Sequence, residues 1–141
     1  MRIVIYSSRF YPDIGGLETI AQLLATGFSK EGHEVVLLTP LRPNEIADDS
    51  QFLFKVVRNP SFLQKYRLAK KADIILHNSI SLKLFLIDFI FLKKIVVVHH
   101  TWYNGLDFKS WVLGKLKLSV SRLVSNVFIS KAIQYHVNSR G

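Results

Sequence analysis

Apolar residues in this chain fall into short unbroken runs, separated by stretches in which they recur with helical spacing. The runs Arg2–Tyr6, Glu34–Thr39, Phe52–Val57, Asp73–Leu76, Ile95–His99 and Asn126–Ile129 are mostly rich in Val and Ile. Runs of that length and make-up are the pattern of parallel strands covered on both faces. Between and after them, helices are expected at Gly16–Glu31, Ser61–Lys71, Ser81–Phe91, Lys109–Leu123 and Lys131–Ser139. The first helix carries Ile20, Leu23, Leu24, Gly27 and Phe28 at helical spacing, which predicts its buried face, and Gly32 is placed to end it. Strand and helix alternate almost from end to end. This predicts an α/β fold: one Rossmann-like, doubly wound parallel sheet of about six strands, with helices on both faces and right-handed crossovers.

Two segments interrupt this regularity. Pro40–Gln51 reads as a long loop between the second and third strands. Ile80–Leu92 is very apolar, but Lys83 and Asp88 interrupt it and it is too short to span a bilayer, so a buried or membrane-surface helix is expected.

Composition narrows the chemistry. The 141 residues suit one domain with a sizeable core, and the 49% hydrophobic and 21% charged content is that of a globular protein. With no cysteine, disulfides, thiol catalysis and cysteine-ligated metals are excluded. The apolar run after Met1 is too short for a signal peptide, so a cytoplasmic protein is expected. The net charge of +9 is unevenly spread. Residues 1–49 hold four bases and seven acids, whereas residues 50–141 hold fifteen bases and three acids. No acid interrupts Ser50–Ala72, and Lys109, Lys115 and Lys117 stand beside Trp111 and several leucines. Such a field suits anionic lipid, a phosphorylated substrate or nucleic acid, or serves only solubility. No helix-turn-helix or RNA-binding signature is present, so nucleic acid is the weakest of these partners.

The glycine pair Gly15-Gly16 stands at the start of the first helix, where free backbone N–H groups and the helix dipole favour an anion. It follows the long loop SSRFYPDI, so the tight Gly-x-Gly-x-x-Gly turn of a dinucleotide site is not met, and no phosphate-loop Lys-Ser/Thr signature is present. His99 and His100 follow a strand, at the end that faces the ligand crevice of an open α/β sheet. His77 has a similar position, where contact with an acceptor and loop packing are both open. Glu18 suits either local stabilisation of the helix start or an acceptor contact. Trp102 and Tyr103 either line a groove or cover the core. His33, in a helix-to-strand turn at the far end of the sheet, is read as structural.

Together these segments resemble the N-terminal domain of family 4 glycosyltransferases of the GT-B fold. The resemblance rests on Tyr11-Pro12, on Gly15-Gly16-Leu17-Glu18, and on Glu31-Gly32-His33-Glu34-Val35 leading into a Val/Leu strand. Further on it rests on Ala72-Asp73-Ile74-Ile75 before His77-Asn78, on Ile95 to Thr101 with its two histidines, and on Val127 to Ile133. Lys131 stands where the family commonly has Glu, so that residue's role does not carry over. The resemblance covers essentially all of residues 1–141. It implies retaining, metal-independent transfer of a sugar from a nucleotide-sugar to a glycan or lipid-linked acceptor, as in cell-envelope polysaccharide synthesis. It also implies no cofactor, the nucleotide-sugar being a substrate.

By this resemblance Gly15 and Gly16 approach the donor diphosphate, and His100, with His99 as the close alternative, stands near the donor sugar in the catalytic cleft. Glu18, His77 and Tyr103 become acceptor contacts. Lys109, Trp111, Lys115 and Lys117 become a surface for the inner face of an anionic membrane. The family's donor domain holds the nucleotide-sugar with two glutamates eight positions apart, and the glutamates here, at 18, 31, 34 and 45, include no such pair. The expectation is therefore an acceptor-side half that works with a separately encoded donor domain and is inactive alone. The alternatives are a truncated, inactive remnant and a non-enzymatic Rossmann-like module for phosphorylated ligands.

Overall fold

The computed structural model describes residues 1–40, 48–79, 88, 94–100 and 108–140; the side chains of residues 108–111 and 140 lie outside the description. The described residues form six strands: β1 (Arg2–Ser7), β2 (Glu34–Thr39), β3 (Lys55–Arg58), β4 (Ile74–Asn78), β5 (Lys94–His99) and β6 (Ser125–Phe128). The described helices are α1 (Gly16–Lys30), α2 (Phe62–Lys71), α3 (Phe108–Ser121) and α4 (Lys131–Arg140). All neighbouring strands run parallel, in the order β3-β2-β1-β4-β5-β6.

Strand alternation divides the core into two layers. One face of the sheet presents Ile3, Ile5, Val35, Leu37, Leu76 and Val98 to Ala21 and Ala25 of α1. The other presents Val4, Tyr6, Val36, Leu38 and Ile75 to Ala69 and Ala72 at the end of α2, while Ile95 and Val97 meet Val120 and Val124. Because both faces are covered, β1 and β2 are buried over five consecutive residues, which is why they read as unbroken apolar runs.

The buried stripe of α1 differs from the expected one. Glu18, Ala21 and Ala25 are buried, Leu24 and Phe28 are partly so, and Leu23 is 61% exposed. Leu23 lies two positions from both alanines, about 200° around the helix, so it must point away from the face on which they pack. The small alanines set that face. Beyond Lys30, His33 N–H bonds to the Phe28 carbonyl and Gly32 N–H to that of Ser29, with Gly32 at φ +79°. These are the two bonds of a Schellman cap, and the positive φ is where glycine avoids a Cβ clash. The His33 ring lies against Phe28 in that turn.

Other boundaries moved for identifiable reasons. β3 starts at Lys55 because Phe52 and Phe54 turn into an aromatic cluster with Phe10 and Tyr11. β4 continues through His77 and Asn78, which pair with Tyr6 and Ser7. Within the expected loop Pro40–Gln51, Asp48 caps a short 3₁₀ turn at Asp49–Gln51, and residues 41–47 lie outside the described ones. The expected helix Ser81–Phe91 also lies outside them, except for Asp88, which is helical and buried.

Candidate functional site

The sheet order marks the candidate position. From β1 the chain passes through α1 to β2 on one side, whereas β4 leads to β5 on the other. The carboxyl ends of β1 and β4 therefore flank the switch point, where open α/β sheets bind ligands. Their last residues, Ser7 and Asn78, are paired in register and buried.

Asn78 ties three elements together there. Its Nδ2 donates to Ser7 Oγ at 3.0 Å and to the Leu17 carbonyl in the first turn of α1 at 2.8 Å. Ser7 Oγ in turn donates to the Arg9 carbonyl at 2.6 Å. A carbonyl can only accept, so the Leu17 contact fixes which end of the Asn78 amide is nitrogen. Asn78 Oδ1 then faces His100 Nε2 at 2.5 Å.

The adjacent histidines take opposite sides. His99 closes β5 on the face of Val97; it is fully buried, stacked on Phe128, with Nε2 donating to Asn126 Oδ1 at 2.7 Å. Asn126 is itself fixed by donating Nδ2 to the Ser121 and Val124 carbonyls. His100, one residue on, is half-buried beside Asn78. Burial holds both imidazoles below their ordinary pKa of 6.5; the contact with Asn126 partly opposes this at His99, and the neighbouring His99 charge adds to it at His100. Both rings are thereby biased towards the neutral form.

The glycine loop sits beside this network. Phe10, fully buried, anchors it against Phe52 and Phe54, and the Tyr11–Pro12 peptide is cis. Ile14 is 98% exposed at its tip. Gly15 caps α1 without a side-chain hydrogen bond, and its carbonyl accepts from Thr19 N–H and Oγ. Glu18 folds back beneath the loop: a Cβ on Gly15 would come within 2.6 Å of Glu18 Oε2. At Gly16 such a Cβ would meet nothing within 4 Å beyond its chain neighbours and the backbone of its own helix. The start of α1 thus combines backbone donors, an open glycine and a buried carboxylate.

His77 has its partners in the core. The alternation that sends Asn78 to the α1 face sends His77 to the other, where Nε2 lies 2.9 Å from Asp88 Oδ2 and the ring 5.1 Å from that of Tyr6. Both His77 and Asp88 are completely buried. Tyr6 donates its hydroxyl to Asp88 Oδ1 at 3.3 Å; burial, then the charge and hydrogen bond of Asp88, push the phenol pKa well up. These contacts give His77 a packing environment rather than a surface towards an acceptor.

Tyr103 and Trp102 lie outside the described residues, as do the side chains of Lys109 and Trp111. On α3, Lys115 is exposed and Lys117 half-exposed, and Val112, Leu113 and Leu116 are exposed apolar neighbours. Among the described residues no cluster of three His, Cys, Asp or Glu could hold a metal ion, and no helix is long and apolar enough to cross a membrane. A shallow depression lined by Arg2, Glu34, Leu68 and Lys71 lies at the N-terminal edge of the sheet, the end away from Gly15.

Sequence reasoning missed Ser7, Asn78, Asn126 and Asp88. For Asn78 the available signal was a polar residue directly after an apolar strand run. For Asp88 it was a lone acid in an otherwise apolar segment.

Comparison with known proteins agrees with this architecture. The sequence matches the model of the family described as Glycosyltransferase Family 4 over residues 14–141. No match was found among curated proteins. Among solved structures, the chain is similar to TunA, an NAD-dependent NDP-hexosamine 5,6-dehydratase of tunicamycin biosynthesis (TM-score 0.53, 17% identity), over 90% of this chain and 53% of that one. It is also similar to the glycosyltransferase GlyE of Streptococcus pneumoniae TIGR4 (TM-score 0.50, 14% identity), over 87% of this chain and 32% of that one. At such identities the likeness shows a shared Rossmann-like fold, and this chain spans about half of the first protein and a third of the second. The family match over nearly the whole sequence carries the assignment: the chain belongs to glycosyltransferase family 4.

Proposed function

We propose that this chain is the acceptor-side half of a retaining, metal-independent glycosyltransferase that moves a sugar from a nucleotide-sugar to a glycan or lipid-linked acceptor. The observation that carries this reading is the convergence of the glycine-bearing start of α1 with His100 at the β1/β4 switch point, through Asn78. The amides at Gly15 and Gly16 suit a diphosphate, which the helix dipole stabilises. His100 rather than His99 takes the place near the donor sugar, because His99 is sealed on the other face of the sheet. Glu18, with Tyr103, serves the acceptor, its carboxylate accepting hydrogen bonds from sugar hydroxyls.

Transfer requires the leaving diphosphate to be stabilised in a closed, water-poor cleft. One wall cannot supply this, so a second, donor-binding domain completes the site. The lipid-linked class of acceptor is favoured by the exposed Val112, Leu113 and Leu116 beside Lys115 on α3, a combination suited to lying on an anionic bilayer at the inner face of a membrane.

Amide chemical-shift mapping with nucleotide-sugars tests the reading. Perturbations are expected at Gly15 to Glu18 and at His100, with sugar transfer by the 141-residue chain only after a donor-binding domain is added. Shifts confined to the depression at Arg2, Glu34 and Lys71, or robust transfer by the chain alone, would overturn it.

A further inference from the structure

We propose that Asn78 is a positioning residue that presents His100 to the cleft as a hydrogen-bond acceptor for a ligand hydroxyl, with its proton held on Nε2 and the lone pair on Nδ1. The proposal deepens the functional reading above and rests on it for the identity of the ligand. Its geometry stands independently.

Donors and acceptors here form a chain in which each link fixes the next. The Leu17 carbonyl has no proton to give, so the Asn78 atom 2.8 Å from it is the amide nitrogen. The same nitrogen reaches Ser7 Oγ, whose own proton is committed to the Arg9 carbonyl. Ser7 therefore accepts, consistent with the same amide orientation. The Asn78 oxygen is then the atom facing His100, and an amide oxygen accepts only, so His100 Nε2 must carry hydrogen. In a neutral imidazole the other nitrogen is then the acceptor.

Burial, which disfavours the imidazolium at this position, maintains that state around neutral pH. A ring so held is poorly matched to a phosphate oxygen, which needs a donor. It is well matched to a sugar hydroxyl, which can donate. Division of labour follows: the N-terminus of α1 takes the anion and His100 takes a hydroxyl. Asn78 links the two, since one amide contacts the first turn of α1 and the imidazole together.

Nitrogen-15 NMR of the ¹⁵N-labelled chain tests this without any ligand. In the wild-type protein His100 is expected to show a protonated Nε2, a bare Nδ1 and a directly detectable, slowly exchanging Hε2, assigned by its loss in His100→Gln. In Asn78→Ala that resonance is expected to vanish into solvent exchange while the His99 Hε2, held by Asn126, persists. A proton on Nδ1 of wild-type His100, or an Hε2 that survives Asn78→Ala unchanged, would overturn the proposal. The wild-type measurement decides the tautomer even if Asn78→Ala does not fold, and Asn78→Asp provides a second variant. Its carboxylate keeps an acceptor for Nε2–H, although it sets an oxygen against the Leu17 carbonyl. The resonance is expected to be retained in the folded variant, and its loss from that folded variant would also count against the proposal. If the tautomer is as stated but nucleotide-sugars fail to perturb the site, the functional reading fails and the positioning role stands.

Discussion

Truncating Asn78 to alanine removes three hydrogen bonds made by a fully buried side chain. The residue is completely buried, and its partners Ser7 Oγ, the Leu17 carbonyl and His100 Nε2 belong to β1, α1 and the end of β5. A typical intramolecular hydrogen bond contributes about 0.5–1.5 kcal/mol net, so three are worth roughly 2–4 kcal/mol. The lower part of that range is expected for two reasons. Ser7 Oγ keeps its bond to the Arg9 carbonyl, and the Leu17 carbonyl also faces the ladder of α1. Half-buried His100 can turn its freed N–H to water. A loss of about 2–3 kcal/mol is a large share of the 5–15 kcal/mol typical of a domain. With a slope of about 1.5 kcal/mol per molar urea, the unfolding midpoint should fall by about 1.3–2 M at unchanged slope. The assay is equilibrium urea denaturation followed by circular dichroism, with Ser7→Ala expected to cost about 1 kcal/mol. A double-mutant cycle between Asn78→Ala and His100→Ala should give a coupling of about 1 kcal/mol. A midpoint within about 0.3 M of wild type, or zero coupling to His100, would refute the network.

The pH dependence of stability follows from the two histidines. Their pKa values are lowered in the folded state, so the unfolded chain binds protons first as pH falls. This contribution is fully present above the ordinary pKa of 6.5 and is lost as pH drops from there through the lowered values; His99→Gln and His100→Gln should each flatten that limb in thermal melts measured from pH 7.5 to 5. The two glycines should respond differently to alanine. Gly16→Ala meets open space at a helix start and should be neutral or stabilising by up to about 1 kcal/mol. Gly15→Ala forces the Glu18 carboxylate aside and should cost about 1 kcal/mol unless Glu18→Ala is introduced with it, a rescue readable by urea denaturation. Finally, the chain should co-sediment with acidic vesicles and be released by high salt, each base near the surface contributing about 1 kcal/mol. Equal, salt-insensitive binding to neutral vesicles would contradict that surface.

What the sequence determined by itself was the architecture and the family resemblance. Unbroken apolar runs and period-3.6 patterns are local records of burial, so the strand runs and the alternation with helices were readable residue by residue, as was the turn at Gly32. The glycine pair was likewise visible as a helix start above strand ends. Tertiary structure decided which side chains meet there. His99 and His100 are neighbours in sequence and look equivalent, but strand alternation puts one on the face of Val97 and leaves the other beside Asn78. Asn78 reaches partners 71, 61 and 22 residues away, a set fixed only by the register of β1 against β4 and by the seating of α1. The misplaced face of α1 has the same origin. Leucines predicted the contact, but close approach to the sheet selected the alanines, because packing rewards the residues that fit rather than those that are most apolar.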